Sequence, residues 1–143
     1  MSSRNRVYCF TNPQPFSMSS SLTHLDCCQH CGSDENVKEL CLKDYPCLES
    51  IHIGSYSFPH VLSVEVSHLP QLKQFVVEDH CFMHIATIVP ENACRVEDCP
   101  LLESISIGIG SFFFYSLLEL KGGVLRDELM VRFASSEVTV CGK

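Results

Sequence analysis

A motif that recurs along the chain restricts its fold more than any single residue does. Leu40-x-Leu42, Pro46, Leu48, Ile51-x-Ile53 and Phe58 return as Val64-x-Val66, Pro70, Leu72, Phe75-x-Val77 and Phe82. They return again as Cys94-x-Val96, Pro100, Leu102, Ile105-x-Ile107 and Phe112. The first two copies are offset by 24 residues (Leu40 to Val64) and the next two by 30 (Val64 to Cys94), which predicts a six-residue insertion within 83–93. A self-similar period in this range marks a stacked-repeat architecture, because one copy cannot bury its own apolar face and several together can.

Each copy holds two apolar-x-apolar triplets, and a period of two is that of a strand with one face buried. The prolines fall between the triplets, where the chain must turn and no ladder N–H is lost. Leu48, Ile51, Ile53, Phe58 and their counterparts are therefore expected in the core. A fourth copy is expected 24 residues further on, with Leu118-x-Leu120 as its first triplet and Leu129-x-Val131 as its second. Val124, Arg126 and Ser136 replace its proline, leucine and phenylalanine, so this copy is degenerate. Upstream of Leu40 neither offset finds a match. Residues 1–36 are expected to be an irregular leader or partial cap, with Pro13, Pro15 and the small polar run 17–21 interrupting regular structure. Residues 37–143 are expected to form the repeat domain, closed by Phe133 and an edge strand at Val138-x-Val140.

Stacking sets equivalent residues of adjacent copies about 4.8 Å apart, where opposite charges attract and like charges repel. The outward residues of the first triplet run Cys41, Glu65, Arg95, Glu119. Those just before the second triplet run Glu49, Lys73, Glu103, Asp127. Signs alternate in both rows until the step from Glu103 to Asp127. Apolar residues alone fixed the alignment, so this agreement is independent support for it.

The run Leu48-x-x-Ile51-x-Ile53-x-x-Tyr56-x-Phe58 resembles the leucine-rich-repeat pattern, with Phe closing each copy in place of Leu. Ile53-Gly54-x-x-x-Phe58 is similar to the signature of BspA-type repeats. The resemblance covers residues 40–131, while Tyr56, His80 and Gly110 stand where Asn or Cys is usual. It implies a mainly β, short leucine-rich-repeat-like solenoid of about four coils with a protein-interaction role, and it carries over no catalytic residue.

Charge and composition narrow the function further. Lys and Arg total 10 against 17 Asp and Glu, for a net charge of −7, with Arg4 and Arg6 at the extreme N-terminus. Phosphate binding depends on clustered cations, so nucleic acid is not the expected partner. The longest uncharged run, 104–118, contains Gly108 and Gly110 and is shorter than the roughly 18 apolar residues a spanning helix requires. Residues 1–10 lack the pattern of a secretory signal. The expectation is a protein with no membrane span, cytoplasmic in location. Ten cysteines then read mostly as reduced thiols.

Three candidate sites emerge. A strip of Glu49, His52, Lys73, Val76, Glu103 and Ser106, extended by Asp127 and Met130, would face outward from the stacked second triplets and offer a partner surface; the alternative is a merely solvated sheet face. His24, Cys28, His30 and Cys31 supply nitrogen and sulfur ligands for zinc, although within eight residues and without a second separated ligand pair. His80 beside Cys81 is a base next to a thiol, but Cys81 precedes core Phe82 in a place suited to a small buried residue. Cys94 and Cys99 occupy repeat positions held elsewhere by Leu40 or Val64 and by Tyr45 or Leu69, so core packing explains both. Asp44 and Asp98 precede prolines by two residues and read as turn chemistry. The expected function is a non-catalytic protein-interaction module without a cofactor. Its rivals are a fragment of a longer repeat array, self-associating through open coil ends, and a small zinc-dependent regulatory domain.

Overall fold

Apolar-x-apolar triplets that alternate with turns need two separate ladders to bury them, and the chain builds two. A computed structural model describes residues 6–7, 21–27, 29–31, 38–82, 93–109, 111, 117–121, 130–133 and 140–142. Among them the strands are β1 (Arg6–Val7), β2 (His24–Cys27), β3 (Glu39–Lys43), β4 (Ser50–Ile53), β5 (Ser63–Ser67) and β6 (Gln74–Val77). They continue as β7 (Ala93–Glu97), β8 (Ser104–Ile107), β9 (Leu117–Lys121), β10 (Met130–Phe133) and β11 (Val140–Gly142). No helix occurs among the described residues, and hence none long and apolar enough to cross a membrane.

Sheet A has six strands in the order β1-β2-β4-β6-β8-β10, and sheet B five in the order β11-β9-β7-β5-β3. Every pairing is parallel. From β2 onward the chain passes alternately between the sheets, so first triplets stack in sheet B and second triplets in sheet A. The register confirms the repeat offsets: Leu40 opposes Val64 and Val64 opposes Cys94, while Ile51 opposes Phe75 and Phe75 opposes Ile105.

The core lies between the sheets as columns of equivalent side chains. Leu48, Leu72 and Leu102 form one column and Ile51, Phe75 and Ile105 a second, all fully buried. Leu42, Val66, Val96 and Leu120 line the inner face of sheet B. Phe58 and Phe82, predicted to close each copy, are buried and stack with ring centroids 5.5 Å apart. Burying an aliphatic or aromatic side chain of this size contributes about 1.5–3 kcal/mol, so each added copy supplies several such terms. Polar groups are matched column by column too. Cys31, Ser57, Cys81 and Ser111 are buried at equivalent positions; the Cys31 N–H donates to Ser57 Oγ at 3.1 Å and the Cys81 N–H to Ser111 Oγ at 2.9 Å. The Ser111 hydroxyl in turn donates to the Glu78 carbonyl. Such pairing removes the cost of an unsatisfied buried N–H.

Left-handed residues recur at the corners. Asp44, His68 and Asp98 follow successive sheet B strands with φ of 63°, 53° and 54°, and His30, Tyr56 and His80 follow sheet A strands at 59°, 63° and 59°. Each non-glycine residue held there costs roughly 1 kcal/mol or more, a strain that repeats because the corner has the same shape in every copy.

Two expectations are corrected. Residues 1–36 were expected to lack the repeat, yet His24–Cys27 is a strand of sheet A paired with β4, and Arg6–Val7 pairs with it in turn. Leu22, Leu25, Cys27 and Cys31 take the buried places of Leu48, Ile51, Ile53 and Ser57. The offset here is 26 residues (Leu25 to Ile51) rather than 24 or 30. The second correction concerns the last copy. Its first triplet pairs as expected, Leu118 opposite Cys94, but Val131 and Phe133 oppose Ile105 and Ile107. The expected triplet Leu129-x-Val131 is thus displaced by two residues: Arg132, not Met130, is the counterpart of Ser106. The final edge strand is described over Val140–Gly142, paired with β9, and Val138 lies outside the described residues. The insertion within 83–93 falls mostly outside the described residues, as do Asp127 and Leu129.

Candidate functional site

The strip expected on the second triplets is assembled by the backbone itself. Sheet A strands bury every second residue, leaving the intervening ones on the outer face. Just before each strand, the Glu49 N–H donates to the Thr23 carbonyl at 2.7 Å, Lys73 to Glu49 at 2.8 Å and Glu103 to Lys73 at 2.8 Å. Glu49, Lys73 and Glu103 are therefore adjacent members of one hydrogen-bonded row, all exposed. Among the described residues no ion pair joins them or draws them elsewhere. His52, Val76 and Ser106 form a second row beyond Ser50, Gln74 and Ser104, in register and half-buried. The structure thus sets the six predicted strip residues in two in-register rows, one exposed just before the strands and one on the outer face of sheet A.

Sequence reasoning missed two features beside the strip. Glu78 follows β6 and reaches back across one strand spacing: its carboxylate lies 2.6 Å from His52 Nε2 and accepts a hydrogen bond from Ser55 Oγ at 3.3 Å. Its backbone position is that of Gly54 and Gly108, and nothing in the repeat pattern signals a side-chain contact there. A Cβ added at Gly108 would lie 2.6 Å and 2.7 Å from the Glu78 carbonyl carbon and oxygen, so this glycine is required by close approach. The second feature is a surface column of rings, His30, Tyr56 and His80, with centroids 5.3 Å and 5.2 Å apart and nearly parallel planes. Tyr56 and His80 stood out in the sequence only as departures from the usual residue.

The outer face of sheet B carries the other charge row, and there the predicted neighbours meet. Arg95 Nε donates to Glu119 Oε1 at 3.1 Å, and Lys121 Nζ lies 3.2 Å from Glu119 Oε2. The hydrogen bond from Lys121, then the fields of both cations, hold the Glu119 carboxyl below its ordinary range. Ser67 Oγ donates to Glu65 at 2.8 Å, and His68 Nδ1 lies 3.1 Å from Asp98.

The zinc set does not converge among the described residues. Cys31 is fully buried, whereas the ring of His30, its immediate neighbour, is exposed and stacked on Tyr56. His24 Nδ1 is 2.9 Å from Thr23 Oγ1, and Cys28 lies outside the described residues. No cluster of three or more His, Cys, Asp or Glu able to hold a metal occurs among the described residues. The His80–Cys81 pair is likewise divided between surface and core. The Cys81 thiol donates to the Gly54 carbonyl at 3.0 Å, and burial pushes its pKa up to about 11 against opposing hydrogen bonds from Ser57 and Ser111. Burial likewise pushes Cys99 up to about 11 and raises Cys94 further. A thiol near 11 leaves about one molecule in 10⁴ as nucleophilic thiolate at pH 7. These cysteines pack; they are not poised to attack.

No family model, curated protein or solved structure matches this chain.

Proposed function

We propose that the alternating strands wind as a leucine-rich-repeat-like solenoid, and that the chain is a non-catalytic protein-interaction module presenting the outer face of sheet A to a protein partner. The observation that carries this reading is the row Glu49, Lys73 and Glu103. Three charges stand side by side on a rigid backbone ladder, exposed and with no ion pair among the described residues. Charges in that state lose little on meeting complementary groups, because no internal pair has to break. Stacked repeats generate regular surfaces of this kind, and such surfaces serve recognition in repeat proteins. The half-buried His52, Val76 and Ser106 add a low, mixed centre beside the charges, in keeping with interfaces that ring a less polar middle with polar groups.

The test uses the doubly reversed variant Lys73→Glu, Glu103→Lys, with wild-type chain as comparison. Both are immobilised, exposed to native extract, and the retained proteins identified. Proteins held by the wild type are expected to be lost from the variant, while circular dichroism and thermal midpoint stay unchanged. An identical set on both proteins would place recognition on another surface.

A further inference from the structure

We infer that the partner of this strip is a second copy of the chain, the two A sheets packing face to face about a two-fold axis that runs along the strands midway between β4 and β6; this rests on the interaction reading above and names its partner. Three observations converge on that axis. The first is charge order. Glu49, Lys73 and Glu103 alternate in sign at one strand spacing, about 4.8 Å in both copies. A two-fold axis between β4 and β6 sets Glu49 opposite Lys73 of the second copy and Lys73 opposite its Glu49. An axis through β6 would instead oppose Lys73 to Lys73 and Glu49 to Glu103, a juxtaposition of like charges that costs several kcal/mol. The pattern selects the half-step.

The second observation is what the same axis does to the remaining rows. Asp26 falls opposite Ser106, Glu103 opposite Thr23, Glu78 opposite Gly54 and His52 opposite Val76, following the register of β2, β4, β6 and β8. None of these acids meets another acid. Ser50, Gln74 and Ser104 form the row between, and their small or flexible side chains permit the separation of about 10 Å at which sheets stack.

The third is position. Sheet A runs β1-β2-β4-β6-β8-β10, so the line between β4 and β6 is its midline, and rotation about it covers all six strands at once. With about six residues from each of β2, β4, β6 and β8, two from β1 and four from β10, at about 4.8 Å by 3.3 Å each, the contact is about 480 Å² per copy. That is below the ~800 Å² per partner of a standard stable interface, so the dimer is isologous and transient, of micromolar rather than nanomolar affinity.

Sedimentation equilibrium of the full chain from about 1 to 500 µM in low salt tests this. Wild type should show a concentration-dependent monomer–dimer equilibrium. Lys73→Glu, which makes the row uniformly acidic, and Glu49→Lys with Glu103→Lys, which makes it uniformly basic, should each weaken self-association about tenfold or more. An equimolar mixture of the two variants should associate again, a recovery that misfolded variants could not produce. A wild type that stays monomeric throughout, or a dimer unmoved by Lys73→Glu, overturns the inference. If the wild type is monomeric while Lys73→Glu still loses proteins captured from extract, only the self-partner fails. If capture is unmoved as well, the strip reading falls with it.

Discussion

Sheets A and B share one construction on the inside and diverge on the outside. Facing the core, Ile51, Phe75 and Ile105 in one sheet and Leu42, Val66 and Val96 in the other are equally dry columns. Facing out, sheet B turns its charges on one another through Arg95, Glu119 and Lys121, whereas in sheet A no ion pair among the described residues joins Glu49, Lys73 and Glu103. Both rows alternate in sign at the same spacing. The difference shows that alternation along a ladder does not by itself decide whether charges satisfy one another, since side-chain direction and the neighbouring row decide it. In sheet B, Lys121 approaches Glu119 from the flanking row; in sheet A the flanking row offers Ser50, Gln74 and Ser104, none of them charged.

The claim that the inner faces are equivalent is the easiest to break. Phe75→Ala in sheet A should cost about 3–5 kcal/mol and Leu42→Ala in sheet B about 2–5 kcal/mol in denaturant unfolding. A loss below 1 kcal/mol at either site would mean that one column is not sealed. Gly108→Ala should cost about 1–3 kcal/mol, because the new methyl meets the Glu78 backbone; thermal unfolding at neutral pH reads this directly.

Smaller effects separate the outer faces. An Arg95→Ala, Glu119→Gln double-mutant cycle should give a coupling below about 1 kcal/mol, shrinking with added salt. Because the Glu119 carboxyl is held below its ordinary 4.5 in the folded state, this contribution is present above that value and disappears as pH falls through the lowered one. Coupling that persists in strong acid would contradict the pairing. Smallest of all should be the stability change for Lys73→Glu, within about 0.5 kcal/mol. A larger loss would show that Lys73 is engaged within its own chain, and sheet A would then resemble sheet B after all.

Legibility tracked how strictly each position is constrained. Leu48, Leu72 and Leu102 stood out because proline and the second triplet repeat beside them at the same offsets. The strand at His24–Cys27 was obscured because its offset is 26, it lacks the proline, and Cys27 and Cys31 stand in for Ile53 and Ser57. The displacement in the last copy has a simpler cause. Leu129, Val131 and Phe133 alternate, and a shift of two residues leaves the same face inward, so apolar pattern cannot tell Leu129-x-Val131 from Val131-x-Phe133. For the site, register correctly brought Arg95 to Glu119 and set Glu49 beside Lys73, but which pair closes depends on rotamers that no spacing encodes. The ring column of His30, Tyr56 and His80 was hidden because its members differ in chemistry and share only a corner.

The all-parallel pairing of each strand with its immediate neighbours also governs how the protein comes apart. Cooperativity in such an array is nearest-neighbour, so amide exchange should slow stepwise from the edges toward β4, β6 and β7 rather than divide into one slow and one fast class. A chain built this way frays, and its middle is the last part to open.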